Sequence, residues 1–150
     1  MDKNAKVIEA KELFFKSYNC AQSTAVPFAE ECGMEKDTML KACSAFGGGV
    51  AGLKEVCGVV MGITMVVGLI ENRIDTSDKE AKAEIKGIAQ GLIKKFTDIN
   101  KTINCGELLE DFEKNPLPAK EGEEYYAEKP CTKLVEDGVR ILCDYIEAKQ

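Results

Sequence analysis

At 150 residues the chain is long enough for one domain that buries about 70% of its unfolded surface, so it needs no disulfide or metal staple to fold. A formal net charge of −6 argues against a nucleic-acid partner, and the charge is local: Glu107 to Glu128 holds eight acids against two lysines. Histidine is absent, which removes Cys–His nucleophile pairs, mixed Cys/His zinc sites and c-type haem attachment.

The hydrophobic spacing is helical throughout. Lys3 to Tyr18 carries Val7, Ala10, Phe14 and Tyr18 on one face and stops at Asn19, a cap for the next helix. Cys20 to Cys32 reads as that second helix, with Pro27 predicting a kink or local break and Gly33 a C-terminal cap. Lys36 to Phe46 gives a short third helix, halted by Gly47-Gly48-Gly49. From Val56 to about Asn72 the chain is apolar nearly all round, the mark of a buried central helix.

Ser77-Asp78-Lys79-Glu80 reads as a capping box opening a long fifth helix, with Ile85, Ile88, Leu92, Phe96, Ile99 and Ile103 as its packed seam. A short helix from Cys105 to about Phe112 leads into an acidic loop with Pro116 and Pro118 that runs through Lys129. The last helix, Thr132 to about Ala148, is expected to bury Leu134, Val135, Val139, Leu142 and Ile146. No segment alternates with period two. The expectation is a single all-α domain over 1–150, a bundle of six to seven helices.

Met1-Asp2-Lys3-Asn4 leads straight into an amphipathic pattern without an apolar signal core. The longest apolar run, Val56 to Ile70, is 15 residues, short of the roughly 18–20 that cross a bilayer. A cytoplasmic protein is expected, and there thiols stay reduced, so clustered cysteines mean redox work or metal binding.

Seven cysteines are present and no C-x-x-C pair. Cys20, Cys57, Cys105 and Cys131 fall at predicted helix starts, where unpaired N–H groups and a partial positive charge favour thiolate. Two of them repeat a local pattern, Asn19-Cys20-Ala21-Gln22 and Asn104-Cys105-Gly106-Glu107, in which Asn caps and Gln or Glu can reach back. Cys32, Cys43 and Cys143 read as small buried hydrophobes. Cys20 and Cys32 would lie about 18 Å apart on a continuous helix, beyond the roughly 7 Å a disulfide tolerates, and the same holds for Cys131 and Cys143.

The loop Gly47-Gly48-Gly49, with Lys54 after it, offers a weak site for an anionic cofactor, though it lacks the ending of a nucleotide loop. More simply, its glycines let backbone pass close to Cys57. Gly58 and Gly62 at G-x-x-x-G spacing predict close approach of a neighbour to the central helix.

Taken together, Tyr18-Asn19-Cys20-Ala21-Gln22-Ser23, Phe46-Gly47-Gly48-Gly49, Cys57-Gly58-x-x-x-Gly62, Cys105 with Glu107-Leu108-Leu109, and Cys131 resemble the C_GCAxxG_C_C redox-active family across nearly the whole chain. Val59 departs from the CGAxxG element of that family, which has Ala there. The resemblance maps Cys20, Cys57, Cys105 and Cys131 onto the family's four cysteines and implies redox activity.

Three functions compete. In the first, thiol–disulfide oxidoreduction or electron transfer without any required cofactor, Cys57 attacks a disulfide or other electrophile and Cys20 resolves the adduct, while Cys105 and Cys131 form a second pair or tune the first. The partner is then an unidentified redox protein or a small disulfide. In the second, Cys20, Cys57, Cys105 and Cys131 hold zinc or an iron–sulfur cluster, although spacings of 37, 48 and 26 residues lack the usual knuckle. In the third, a non-catalytic subunit docks through the G-x-x-x-G face or the acidic loop, and self-association stays open.

Overall fold

The computed structural model of the chain describes residues 1–75, 77–115, 125 and 129–150. Among them are eight α-helices: α1 (Lys3–Phe15), α2 (Cys20–Ala25), α3 (Lys36–Ala42), α4 (Gly58–Glu71), α5 (Lys79–Asn100), α6 (Cys105–Leu108), α7 (Glu110–Lys114) and α8 (Pro130–Ala148). The fold is the all-α bundle that the periodicity predicts. The count exceeds the expected six to seven because the segment after Cys105 breaks at Leu109 into α6 and α7.

Helix α4 is the centre, as its composition predicts. It buries Val59, Val60, Ile63, Val66 and Val67 and is packed against α2, α5 and α8. Helix α1 lies on α8 through Val7, Ala10 and Phe14. Helix α8 buries Leu134, Val135, Val139, Leu142 and Ile146, and adds Gly138, Ile141 and Cys143. No helix of the described residues is long and apolar enough to cross a membrane.

Four expectations change, the simplest being that the third helix ends at Ala42, four residues short of Phe46 and before the glycines. The second helix ends at Ala25, because Pro27 has no N–H to continue the ladder; Val26–Phe28 tightens into a 3-10 turn and leaves Cys32 beyond it. The cap of α5 is Asp78, whose carboxylate accepts from the Ala81 amide, while Ser77 turns back to Asp75. The seam of α5 stops short: Lys101 adopts a left-handed cap at φ 74°, Ile99 stays 52% exposed and Ile103 falls outside the helix. Most of the acidic loop lies outside the described residues.

Helices α4 and α6 start side by side because of a short antiparallel pairing that no sequence alternation announces. Val56 bridges Asn104, the Cys57 amide donates to the Ile103 carbonyl at 2.7 Å, and the Cys105 amide donates to Glu55 at 2.6 Å.

Candidate functional site

All four helix-start cysteines line one small, largely covered chamber of about 50 Å3. Cys20 is the first residue of α2, Cys57 the N-cap of α4, Cys105 the first residue of α6, and Cys131 the second of α8. Gly48, Gly49, Gly58, Leu108, Leu109, Lys129 and Leu134 complete the wall. Cys57, Cys105 and Cys131 are 3%, 7% and 5% exposed, whereas Cys20 is half-buried. All seven cysteines are free thiols.

Each start is fixed by local chemistry. Asn19 caps α2 by accepting from the Gln22 amide at 2.8 Å, and Gln22 Oε1 accepts from the Asn19 amide at 2.9 Å, a full capping box. Asn19 Nδ2 also donates to the carbonyls of Cys43 and Ser44, and Gln22 Nε2 to Leu40, so Cys20 is pinned to the end of α3. Asn104 caps α6 on the Glu107 amide at 2.9 Å, in one direction only. Cys57 and Cys105 follow the bridged pair Val56 and Asn104 on its two strands, which puts their side chains on one side of the bridge.

The close approaches fall at other places than the sequence suggests. A Cβ on Gly49 would sit 2.6 Å from the Cys105 Cβ, and one on Gly47 would sit 2.4 Å from the Asn19 Cβ, so these glycines serve Cys105 and Asn19 instead of Cys57. The G-x-x-x-G face of α4 is occupied by α2: Gly58 faces the Cys20 Cβ and Gly62 faces Ala21 and Thr24, each at 3.1 Å. That face is therefore closed to an outside helix. The glycine loop is also committed, since the amides of residues 50–55 all donate to carbonyls within residues 45–50. Of the expected anion cradle, only the glycine backbone at 47–49 is left.

The four thiols are not equivalent. Cys131 is held below the usual thiol range, first because the Cys20 thiol donates a hydrogen bond to it, with Lys129 adding positive charge. Cys20 is pushed far up by that same bond, then by burial. Cys57 lies against the Val59 and Val60 amides without a regular cap bond, and burial still pushes it up to about 12. Cys105 is raised by burial, with the Cys131 charge next. Cys131 is thus the acidic thiol and influences all three others, in place of the Cys57 that helix position suggests. The sequence reading missed Lys129; a cation two residues before a helix-start cysteine was the available signal.

Two outer recesses meet the chamber. A cleft of about 190 Å3 shares Cys20, Gly48 and Lys129 with it and is lined by Phe14, Tyr18 and Asn19. A groove of about 480 Å3 shares Cys105, Leu109, Gly48 and Lys129 and continues to Phe112 and Tyr125. Lys129 Nζ stands 5.7 Å from the Tyr125 ring centre. Cys43 and Cys143 are fully buried in the core, and Cys43 Sγ contacts Met65 Sδ at 3.2 Å; Cys32 is half-buried against it. Among the described residues, no three Cys, Asp or Glu side chains are arranged to ligate one metal ion.

Residues 18–145 match the family described as "Putative redox-active protein (C_GCAxxG_C_C)". The chain is also 27% identical over 104 residues to an uncharacterized protein of Archaeoglobus fulgidus, covering 65% of this chain and 69% of that one. No solved structure matches it. With residues 18–145 matched, most of its length, this chain belongs to the C_GCAxxG_C_C family.

Proposed function

We propose that the protein carries out two-electron thiol–disulfide chemistry in which Cys131 is the nucleophile and Cys20 the resolving thiol. One observation carries this reading: Cys20, Cys131 and Lys129 line the same small chamber, where the neighbouring Cys20 thiol and the Lys129 charge hold Cys131 down. The contact stabilises the Cys131 thiolate and keeps its future disulfide partner beside it.

The chemistry follows in two steps. The Cys131 thiolate attacks an electrophilic sulfur or oxygen, forming a bond to it while the leaving group departs with the electron pair and takes the Cys20 proton. The Cys20 thiolate then attacks Cys131 Sγ, expelling the rest of the electrophile and closing a Cys20–Cys131 disulfide. Two thiols have lost two electrons and the electrophile has gained them. Reduction returns through Cys20, the least buried of the four and the one open to the cleft. Cys57 and Cys105, both pushed up by burial, stay protonated and tune the pair. Seven free thiols suit a reducing compartment such as the cytoplasm.

Titration of the reduced chain with limiting oxidant, followed by alkylation and peptide mass spectrometry, tests the assignment. The first disulfide is expected to be Cys20–Cys131, reversible by dithiothreitol and absent from Cys131→Ser. A first disulfide elsewhere, or none, rejects it.

A further inference from the structure

We propose that the chamber selects its oxidant by size, and that the electrophile consumed at Cys131 is hydrogen peroxide or a hydroperoxide hardly larger. This inference rests on the reading of Cys131 and Cys20 as the redox pair, and names its substrate class.

Cys131 lines the chamber but neither the cleft at Cys20 nor the groove at Cys105, and the residue is only 5% exposed. A reactant must therefore enter the chamber to reach it. A cavity needs about 10–15 Å3 of space to hold one water, so about 50 Å3 has room for a molecule of roughly three to five heavy atoms. Hydrogen peroxide fits. A branched alkyl hydroperoxide or a peptide disulfide fits only if the wall moves.

That wall is identifiable. Leu108 and Leu134 line the chamber on one side and, on the other, an open groove of about 680 Å3 that includes Ile99, Lys101 and Lys133. Two leucine side chains thus separate a small room from a large one. Their removal should admit larger oxidants.

The reaction balances within the residues present. Cys131 Sγ attacks one peroxide oxygen; the S–O bond forms as the O–O bond breaks, and two electrons pass from sulfur to oxygen. The departing hydroxide takes the Cys20 proton and leaves as water. The Cys20 thiolate then attacks the Cys131 sulfenic sulfur, the S–S bond replaces the S–O bond, and the second hydroxide is neutralised by the proton that Cys131 released on ionising. One peroxide and two thiols become one disulfide and two waters. Lys129, on the chamber wall, faces the negative charge that develops on the departing oxygen.

The test compares hydrogen peroxide, tert-butyl hydroperoxide and oxidised glutathione on the reduced full chain by stopped flow, each rate divided by its rate with free cysteine, with disulfides mapped afterwards. Hydrogen peroxide is expected to give the Cys20–Cys131 disulfide at least about tenfold faster than tert-butyl hydroperoxide on this normalised scale. Leu134→Ala should narrow that ratio at least about threefold, and Leu108→Ala, at a half-buried and less costly position, should do so in the same direction. Equal normalised rates in the unmodified chain, or an unchanged ratio in both variants, overturn selection by size while leaving the pair intact. Failure of all three oxidants to produce a Cys20–Cys131 disulfide overturns the pair itself.

Discussion

Position 59, on the central helix, faces a glycine on the neighbouring helix. A Cβ added at Gly138 would lie 2.3 Å from Val59 Cγ1, a separation that carbon atoms do not tolerate, while its other neighbours, Thr24 Cγ2 at 3.4 Å and Ile63 Cδ1 at 3.7 Å, are ordinary contacts. Val59 is fully buried, so its methyl has nowhere to turn. In a helix interior Gly→Ala should stabilise by about 1 kcal/mol. At Gly138 overpacking of about 1–3 kcal/mol acts against this, so Gly138→Ala is expected to be neutral to destabilising by up to about 2 kcal/mol. Val59→Ala alone loses two buried methyl groups, about 2 kcal/mol. Made in the Val59→Ala background, however, Gly138→Ala meets only ordinary contacts and should stabilise by about 1 kcal/mol. The sign of one substitution thus inverts with the identity of its neighbour. Urea denaturation of the two single variants and the double variant measures the cycle. Additive effects would show that Val59 and Gly138 do not set the spacing of α4 and α8, which positions Cys57 against Cys131.

Cys20→Ala removes the hydrogen bond that holds Cys131 down, so the pH midpoint of Cys131 alkylation should rise, whereas Cys20→Ser keeps an O–H donor and should rise less; identical midpoints in both variants would discount the contact. Cys57, raised to about 12 in the fold, favours the folded state below the unfolded thiol value and loses that contribution as pH climbs toward 12. Between pH 8 and 10.5 the loss is about 2 kcal/mol, and Cys57→Ala should flatten the decline in urea-derived stability by that amount; an unchanged slope contradicts it. Gly49→Ala combines φ +74° with a Cβ 2.6 Å from Cys105, Glu55 and Lys54 atoms, and should cost at least about 2 kcal/mol. Gly33→Ala at φ +66°, with nothing within 4 Å, should cost only the backbone strain of about 1–2 kcal/mol, so equal thermal shifts would deny the packing role of Gly49.

Local signals in the sequence held where their physics was local. Asn19 and Asn104 cap as their spacing predicts, the apolar run after Cys57 is the central helix, and the period of α8 names its buried face correctly. What did not read out depends on partners distant in sequence. The Val56–Asn104 bridge joins two single residues, too short to leave an alternating pattern, yet it sets the α4 and α6 starts together. Gly49 looked like clearance for Cys57, its near neighbour in sequence, but serves Cys105, which arrives from 56 residues away. Ile99 continued the periodicity of α5 but stays exposed, and Ile103 reaches the core from beyond the helix, because periodicity records what a helix could bury and the left-handed Lys101 decides where it stops.

The ordering of the thiols shows why helix position alone could not name the most acidic one. Cys57 caps a 14-residue helix and lies against two of its amides, and a dipole at that place offers on the order of 1–2 kcal/mol, about one pKa unit. Burial of a thiolate costs more than that, so at a nearly inaccessible sulfur desolvation wins and the thiol stays protonated. Cys131 is about equally inaccessible and also starts a helix, yet shifts the other way. The difference is the neighbour: a second thiol that donates its proton to the sulfur, with a lysine close by, supplies the solvation that water cannot. In the reaction proposed above the same donor would close the disulfide, so the group that holds Cys131 down would also end the reaction, and removing Cys20 should weaken both steps together.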